Sequence, residues 1–337
     1  MDAHPRTSYR TGLLCLAVTS VGWGLNWPAI KLLLTELPPL FARGSAGMVA
    51  AAVFAVVALQ RGESLRVPRA SAPRLLGAAL TNVFAWMGFA TLAMRWLSVG
   101  QGALLVYTMP IWATLFAWPL AGQRPSRRAG LGLLLSIAGL WALFGGSALP
   151  LDRGHLIGAG LALASASIFA FGTVAMRPLV ELPPFALLAW QLGLGSLPMV
   201  ILGVTLEQPR LAGVSGTGWA LMLYMTAVPM GLCYLTWFAA LRRLPPATAS
   251  IATLMTPVIG VLAAALTLGE PLGGRELAAL ALTMGGVALA LLGKGRPADA
   301  GVATGEAGRA PGQAVEMRVE AAARDRLSTR VRRGPRR

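Results

Sequence analysis

Charge is what this chain of 337 residues has least of: 12% of its residues are charged, against about 25% in soluble domains. With 55% apolar residues, that scarcity excludes an ordinary soluble domain. Residues for covalent or metal chemistry are equally few. Cys15 and Cys233 lie far apart in apolar stretches and offer neither a disulfide framework nor a thiolate metal site. The only histidines are His4 and His155, and no clustered ligand set suits a metal. Phosphate-cradling glycine loops are absent. Gly213-Val-Ser215-Gly216 has the form of an intramembrane serine protease motif, but no histidine follows to activate the serine. No catalytic residue, metal or cofactor is expected, and an intramembrane enzyme is only a remote alternative.

What is present is a series of apolar runs, at about 11–34, 38–59, 75–94, 98–120, 129–146, 155–177, 185–206, 217–240, 246–268 and 275–293. Each matches the roughly 20 residues that a helix needs to cross a bilayer. They are continuously apolar instead of alternating, which excludes barrel strands. The expected fold is an all-α integral membrane protein of ten transmembrane helices. The first run is too long for a secretion signal and carries Asn26 and Lys31, so it reads as a retained helix. Placing both termini in the cytoplasm puts basic residues on the inner side in a three-to-one excess before the tail is counted. Most of the +16 net charge therefore follows membrane topology and calls for no nucleic acid. Residues 1–10 read as a cytoplasmic N-terminal tail. Residues 294–337, basic and without apolar periodicity, read as a disordered cytoplasmic tail.

The chain also repeats itself. At an offset of 147, Arg95 and Leu97 meet Arg242 and Leu244, Pro110 meets Pro257, Gly122 meets Gly269, Arg128 meets Arg275 and Gly139 meets Gly286. Earlier, Glu36-Leu-Pro-Pro39 meets Glu181-Leu-Pro-Pro184. Residues 11–146 and 155–293 thus form two repeats of five helices. Five is odd, so the halves cross in opposite senses, the inverted arrangement of secondary transporters. Pro110 and Pro257 are paired interruptions. Each lacks an N–H and frees the carbonyl four residues earlier, of Val106 and of Thr253, for gating or a substrate.

The spans contain no carboxylate at mid-depth, which disfavours proton relay through a buried acid. Facilitated diffusion, exchange, or coupling through Glu36, Glu270 or His155 near an interface is expected instead. Arg43 and Lys31 are the basic residues well inside spans. Arg43 is suited to a carboxylate or phosphate, while Lys31 can snorkel outward and Glu36 can pair with either. Neutral candidates for the substrate site are Trp23 with Asn26 and Asn82 with Trp86, each pair sharing a helix face. The set is completed by Tyr107, Thr108, Gln191, Tyr234, Trp237, Thr253 and Thr256. An amide beside an indole suits a small zwitterion with an apolar side chain.

Trp23-Gly-Leu-Asn26-Trp27, Arg43, Gly100-Gln-Gly-Ala-Leu-Leu-Val-Tyr-Thr-Met-Pro110 and Leu268-Gly-Glu270-Pro resemble the EamA branch of the drug/metabolite transporter superfamily. The resemblance covers residues 11–293. It implies a ten-helix, multi-pass carrier of the inner or plasma membrane, with both termini cytoplasmic, often exporting amino acids or related metabolites. Gln123 departs from it, standing where many relatives carry the acid kept here as Glu270. The expected partners are a small-molecule substrate and the bilayer, and a homodimer is compatible. The alternative reading is an exchanger or importer of anionic metabolites, nucleotide-sugar or phosphate-like, with Arg43 and Lys31 lining its cavity.

Overall fold

A computed structural model describes residues 5–144, 152–176, 181–244, 248 and 253–292. The tail at 294–337 lies outside them. The described chain is helical: α1 (Pro5–Leu33), α2 (Pro39–Gln60), α3 (Ala72–Ala93), α4 (Val99–Ala121), α5 (Arg127–Phe144), α6 (Arg153–Ala175), α7 (Pro184–Glu207), α8 (Gly216–Leu241), α9 (Met255–Leu268) and α10 (Gly274–Leu292). Among the described residues, eight of these are long and apolar enough to cross a membrane. The two outside that set are α5 and α9, and α9 has 14 residues. Helix α1 starts at Pro5, ahead of the apolar run at 11. Large apolar side chains face outward all around the molecule, with Trp141 73% and Leu266 88% exposed. In water such a surface would aggregate; against lipid it is the expected exterior. This is a multi-pass membrane protein.

Three of the long helices are not α-helical throughout. Leu80–Gly88 in α3, Gly203–Glu207 at the end of α7 and Val228–Leu232 in α8 are π-helical, a geometry that gathers at functional sites. Helix α4 is broken at Tyr107–Thr108, just before Pro110, where the Thr108 N–H and hydroxyl both donate to the Leu105 carbonyl (3.3 and 2.6 Å). The second half repeats the device, with a turn at Thr253–Leu254 before Met255 and Pro257. Ends match as well. Gly122 (φ 67°) and Gly269 (φ 66°) close α4 and α9 in the left-handed region. The next N–H turns back on each helix, from Gln123 to Ala117 and from Glu270 to Ala264. No heavy atom would touch a Cβ at either glycine, so Gly269→Ala suffers backbone strain alone. We expect a loss of about 1 kcal/mol, read as a drop of a few degrees in the thermal midpoint of the detergent-purified protein.

Packing between the halves is reciprocal. Along α5 and α10, Gly139 lies against Ala279 and Thr283 while Gly286 lies against Gly132 and Ser136. Ser136 also donates its hydroxyl to the Thr283 carbonyl at 3.2 Å. Ser136 and Thr283, like Gly139 and Gly286, are 147 residues apart, so each repeat presents the same surface to the other. Ascending positions on α5 meet descending positions on α10, so the two helices run antiparallel. Helices α2 and α7 do likewise, Phe41 meeting Gly203, Gly44 meeting Val200 and Gly47 meeting Ser196. Small residues allow this close approach, which is what joins helices when lipid removes the hydrophobic drive. A core of Trp27, Leu33, Leu97, Met87, Met199 and Met230 fills the space between the halves.

Candidate functional site

Polar side chains border that core in three groups. The first joins α1, α2 and α8. Trp23 packs edge-on to Tyr234 (centroids 5.8 Å, 76°) and lies 5.8 Å from Trp237. Its indole N–H donates to the Pro229 carbonyl at 2.9 Å, an acceptor in the π-helical break of α8. Asn26, three residues on, is buried with no partner at Oδ1. Arg43 on α2 is 6% exposed, and its Nε and Nη1 have no partner. The second group joins α1, α4 and α9: Trp27 lies 6.2 Å from Tyr107, which comes up beside Thr256. Thr256 is fully buried with Oγ1 unpartnered, whereas the hydroxyl of Thr108 is held by Leu105. In the third group, on α3 and α6, Trp86 packs tilted against Phe169 (centroids 5.0 Å, 45°) with its buried indole N–H unpartnered. Asn82 accepts from Thr81 at 3.3 Å and faces Gly172. Allowing for the repeat offset, Trp86 and Phe169 match Tyr234 and Trp23 to within one residue, so the third group is the first one's counterpart.

Two other candidates stand on α7 and in the turn before α9. Gln191 is half-buried on α7, and Thr253, half-buried in the turn before α9, accepts from the Thr256 N–H at 3.0 Å. Pro110 and Pro257 stand at the two breaks, but the Thr253 carbonyl, expected to be freed by Pro257, is taken by the Thr256 N–H in the tightened turn. The sequence also pointed to no break in α8 and gave no sign of Ser196, which is fully buried on α7 with an unpartnered hydroxyl. An unpaired polar atom is costly in a bilayer interior, and among the described residues the buried side-chain atoms without a partner belong to Asn26, Arg43, Trp86, Ser196, Thr256 and Thr283.

The acids have a different task. Glu207, ending α7, accepts from the Leu40 and Phe41 N–H groups at the start of α2 (3.3 and 3.0 Å). Glu63, following α2, accepts from Phe185 and Ala186 at the start of α7, both at 3.0 Å. Glu270 holds the start of α4 through Val99 and Gly100 (2.7 and 3.3 Å). Glu36 holds Ser215, the N-cap of α8, through N–H and hydroxyl (2.7 and 2.8 Å). Each carboxylate meets the positive end of another helix's dipole. Cations meet the opposite ends: Lys31 donates to Met94 and Leu97 after α3 (2.6 and 2.7 Å), and Arg275 to Ala142 and Leu143 ending α5. Glu36 therefore pairs with neither Lys31 nor Arg43. His155 contacts Asp152, the N-cap of α6, whose carboxyl the His155 backbone and ring hold below the usual aspartate range.

Two reciprocal helical halves, an apolar exterior and polar atoms gathered without partners between them define a polytopic membrane transporter. The chain belongs to the EamA-like transporter family, whose pattern matches residues 10–145 and again residues 156–292, within the drug/metabolite transporter superfamily. It is 29% identical over 294 residues to "Uncharacterized transporter YvbV" of Bacillus subtilis, covering 86% of this chain and 93% of that protein. It is 29% identical over 303 residues to a Salmonella typhimurium protein named "Probable amino-acid metabolite efflux pump" (85% and 96% covered). To "Aromatic amino acid exporter YddG" of Ancylobacter novellus it is 24% identical over 273 residues (80% and 94% covered). A solved crystal structure shares the fold with a TM-score of 0.60 at 22% identity, covering 85% of this chain and 97% of that one.

Proposed function

We propose that the protein exports a small metabolite, an amino acid or related compound, by alternating access between two inverted five-helix halves. In this reading α5 and α9 complete ten crossings, residues 11–146 and 155–293 are the halves, and both termini face the cytoplasm of a cell with this protein in its inner or plasma membrane. The antiparallel, reciprocal packing of α5 on α10 and of α2 on α7 supports the inversion. The observation that carries the substrate class is the cluster of Trp23, Tyr234 and Trp237 rings, with Asn26 one turn along α1 from Trp23 and its buried Oδ1 without a partner. Amides and hydroxyls serve an ammonium and a carboxylate, and rings serve an apolar side chain. The names of the Salmonella and Ancylobacter relatives point the same way.

An exchanger of nucleotide-sugar or phosphate-like anions is the second reading, favoured by the free guanidinium of Arg43. It calls for a second cation, and Lys31 is held by two carbonyls. A thermal-shift screen of the detergent-purified protein against amino acids, nucleobases, sugar phosphates and lipophilic cations tests both. At one hundred times Kd a ligand stabilises by about 2.7 kcal/mol, so an aromatic or branched amino acid should raise the midpoint by several degrees. Asn26→Ala and Trp86→Ala should remove that shift. A rise with sugar phosphates alone overturns the exporter reading in favour of the exchanger.

A further inference from the structure

Arg43 has no electrostatic reason to be where it is. It lies in the second turn of α2, near the positive end of its own helix dipole, where a cation is disfavoured. It is 6% exposed, and neither an acid nor a carbonyl takes its Nε or Nη1. Among the described residues the one ion pair is His155 with Asp152. Glu36, Glu63, Glu207 and Glu270 hold helix N-termini instead. A buried charge inside a membrane protein marks function by default because it is expensive to keep there.

Its surroundings supply the rest of a site. Gly47 is four residues on, on the same face of α2, and its missing Cβ lets Ser196 of α7 come against the helix, with Met230 of α8 alongside. Tyr234, one turn beyond Met230 on α8, carries the contact to Trp23. Arg43 one turn from Gly47, Ser196 against Gly47, and Tyr234 one turn from Met230 thus place on facing helices α2, α7 and α8 a guanidinium with two unpartnered nitrogens, a fully buried hydroxyl without a partner and a member of the aromatic cluster.

We propose that Arg43 and Ser196 form the subsite for the carboxylate of the transported solute, and that this carboxylate is the counter-ion Arg43 lacks within the protein. The inference rests on the carrier reading above and narrows it to carboxylates with an apolar or aromatic body. One free cation balances one negative charge. A phosphate dianion needs a second, and Lys31 is engaged. The guanidinium and hydroxyl donate charge-assisted hydrogen bonds to the carboxylate, and the Trp23, Tyr234 and Trp237 rings take the side chain.

The test uses the full-length protein in detergent with four probes of one shape: L-phenylalanine, 3-phenylpropionate, 2-phenylethylamine and phenyl phosphate. Thermal shift and equilibrium binding should show the two carboxylates binding and the amine and the phosphate not. Arg43→Gln should weaken carboxylate binding at least tenfold, Arg43→Lys should restore part of it, and Ser196→Ala should weaken it about threefold. Without ligand, Arg43→Gln should melt at or above the wild-type temperature, because an uncompensated charge has gone. Should that variant fail to fold, Arg43→Lys and Ser196→Ala carry the test. Equal binding of phenylalanine and phenylethylamine, unchanged phenylalanine binding by Arg43→Gln or by both other variants, or preference for phenyl phosphate overturns the subsite and leaves the carrier reading intact. If no carboxylate binds while nucleobases or lipophilic cations do, the subsite and the amino-acid reading both fall.

Discussion

Gly139→Val should leave almost no monodisperse protein after extraction, and Gly286→Val should do the same from the other side of the interface. A Cβ on Gly139 would sit 2.8 Å from the Thr283 nitrogen and 2.9 Å from the Ala279 carbonyl oxygen. Both are backbone atoms of α10, so no rotamer change relieves the clash and the helices must separate. Overpacking of this kind costs about 3 kcal/mol when the surroundings can give, and here they cannot. The hydrogen bond from Ser136 to Thr283 would be lost as the helices part. Gly130→Ala is the control, because on the same helix nothing lies within 4 Å of a Cβ there, and it should extract and melt like the wild type. Fluorescence-detected size exclusion reads both results. A Gly139→Val protein that elutes and melts normally would show that α5 and α10 do not pack as described.

Glu270→Ala should lower the thermal midpoint by several degrees, and Glu270→Gln by about half as much. The carboxylate takes the Val99 and Gly100 N–H groups, two of the four donors that α4 leaves open at its start. Hydrogen bonds to a charged acceptor contribute about 1.5–3 kcal/mol each, and the half-exposed position of Glu270 places the pair near the lower end, at about 3 kcal/mol together. Glutamine keeps a carbonyl acceptor without the charge that favours the helix dipole. Differential scanning fluorimetry of the three proteins decides it, and identical midpoints would remove the carboxylate from any structural part. Adjacent Ser98 with Gln101 already forms a capping box on the same turn, so α4 should shift at its outer neighbour contacts and remain helical.

Much of the architecture was legible in the chain because membrane helices are written in local terms. The apolar runs at 11–34 and 38–59 become α1 and α2 with ends moved by a few residues, since bilayer thickness sets their length. Gly122 and Gly269 were visible only as matches in the repeat, and both prove to be left-handed helix ends, a conformation that glycine alone adopts freely. Pro110 marked the break in α4 because a missing N–H acts on its own turn. Of the candidate site, Trp23 comes together with Tyr234 and Trp237, and Tyr107 with Thr256. Thr253 is joined to that set through its carbonyl, which accepts from the Thr256 N–H.

The rest depends on partners distant in sequence. Glu36 and Glu270 look like interfacial coupling groups when read along the chain, because nothing local shows that Ser215 and Val99 will stand opposite them. Lys31 reads as a snorkelling side chain until the end of α3 arrives beside it. Ser196 carries no signal at all, being one small polar residue in an apolar run, and acquires meaning only when Gly47 lets α2 close on α7. The sequence by itself determined the helices, their ends and the existence of two related halves, since hydropathy, glycine and proline act within a turn or two. Which charge meets which helix end, and which polar atoms stay unpaired beside the aromatic cluster, only the tertiary structure decided, because both depend on where helices more than a hundred residues apart cross.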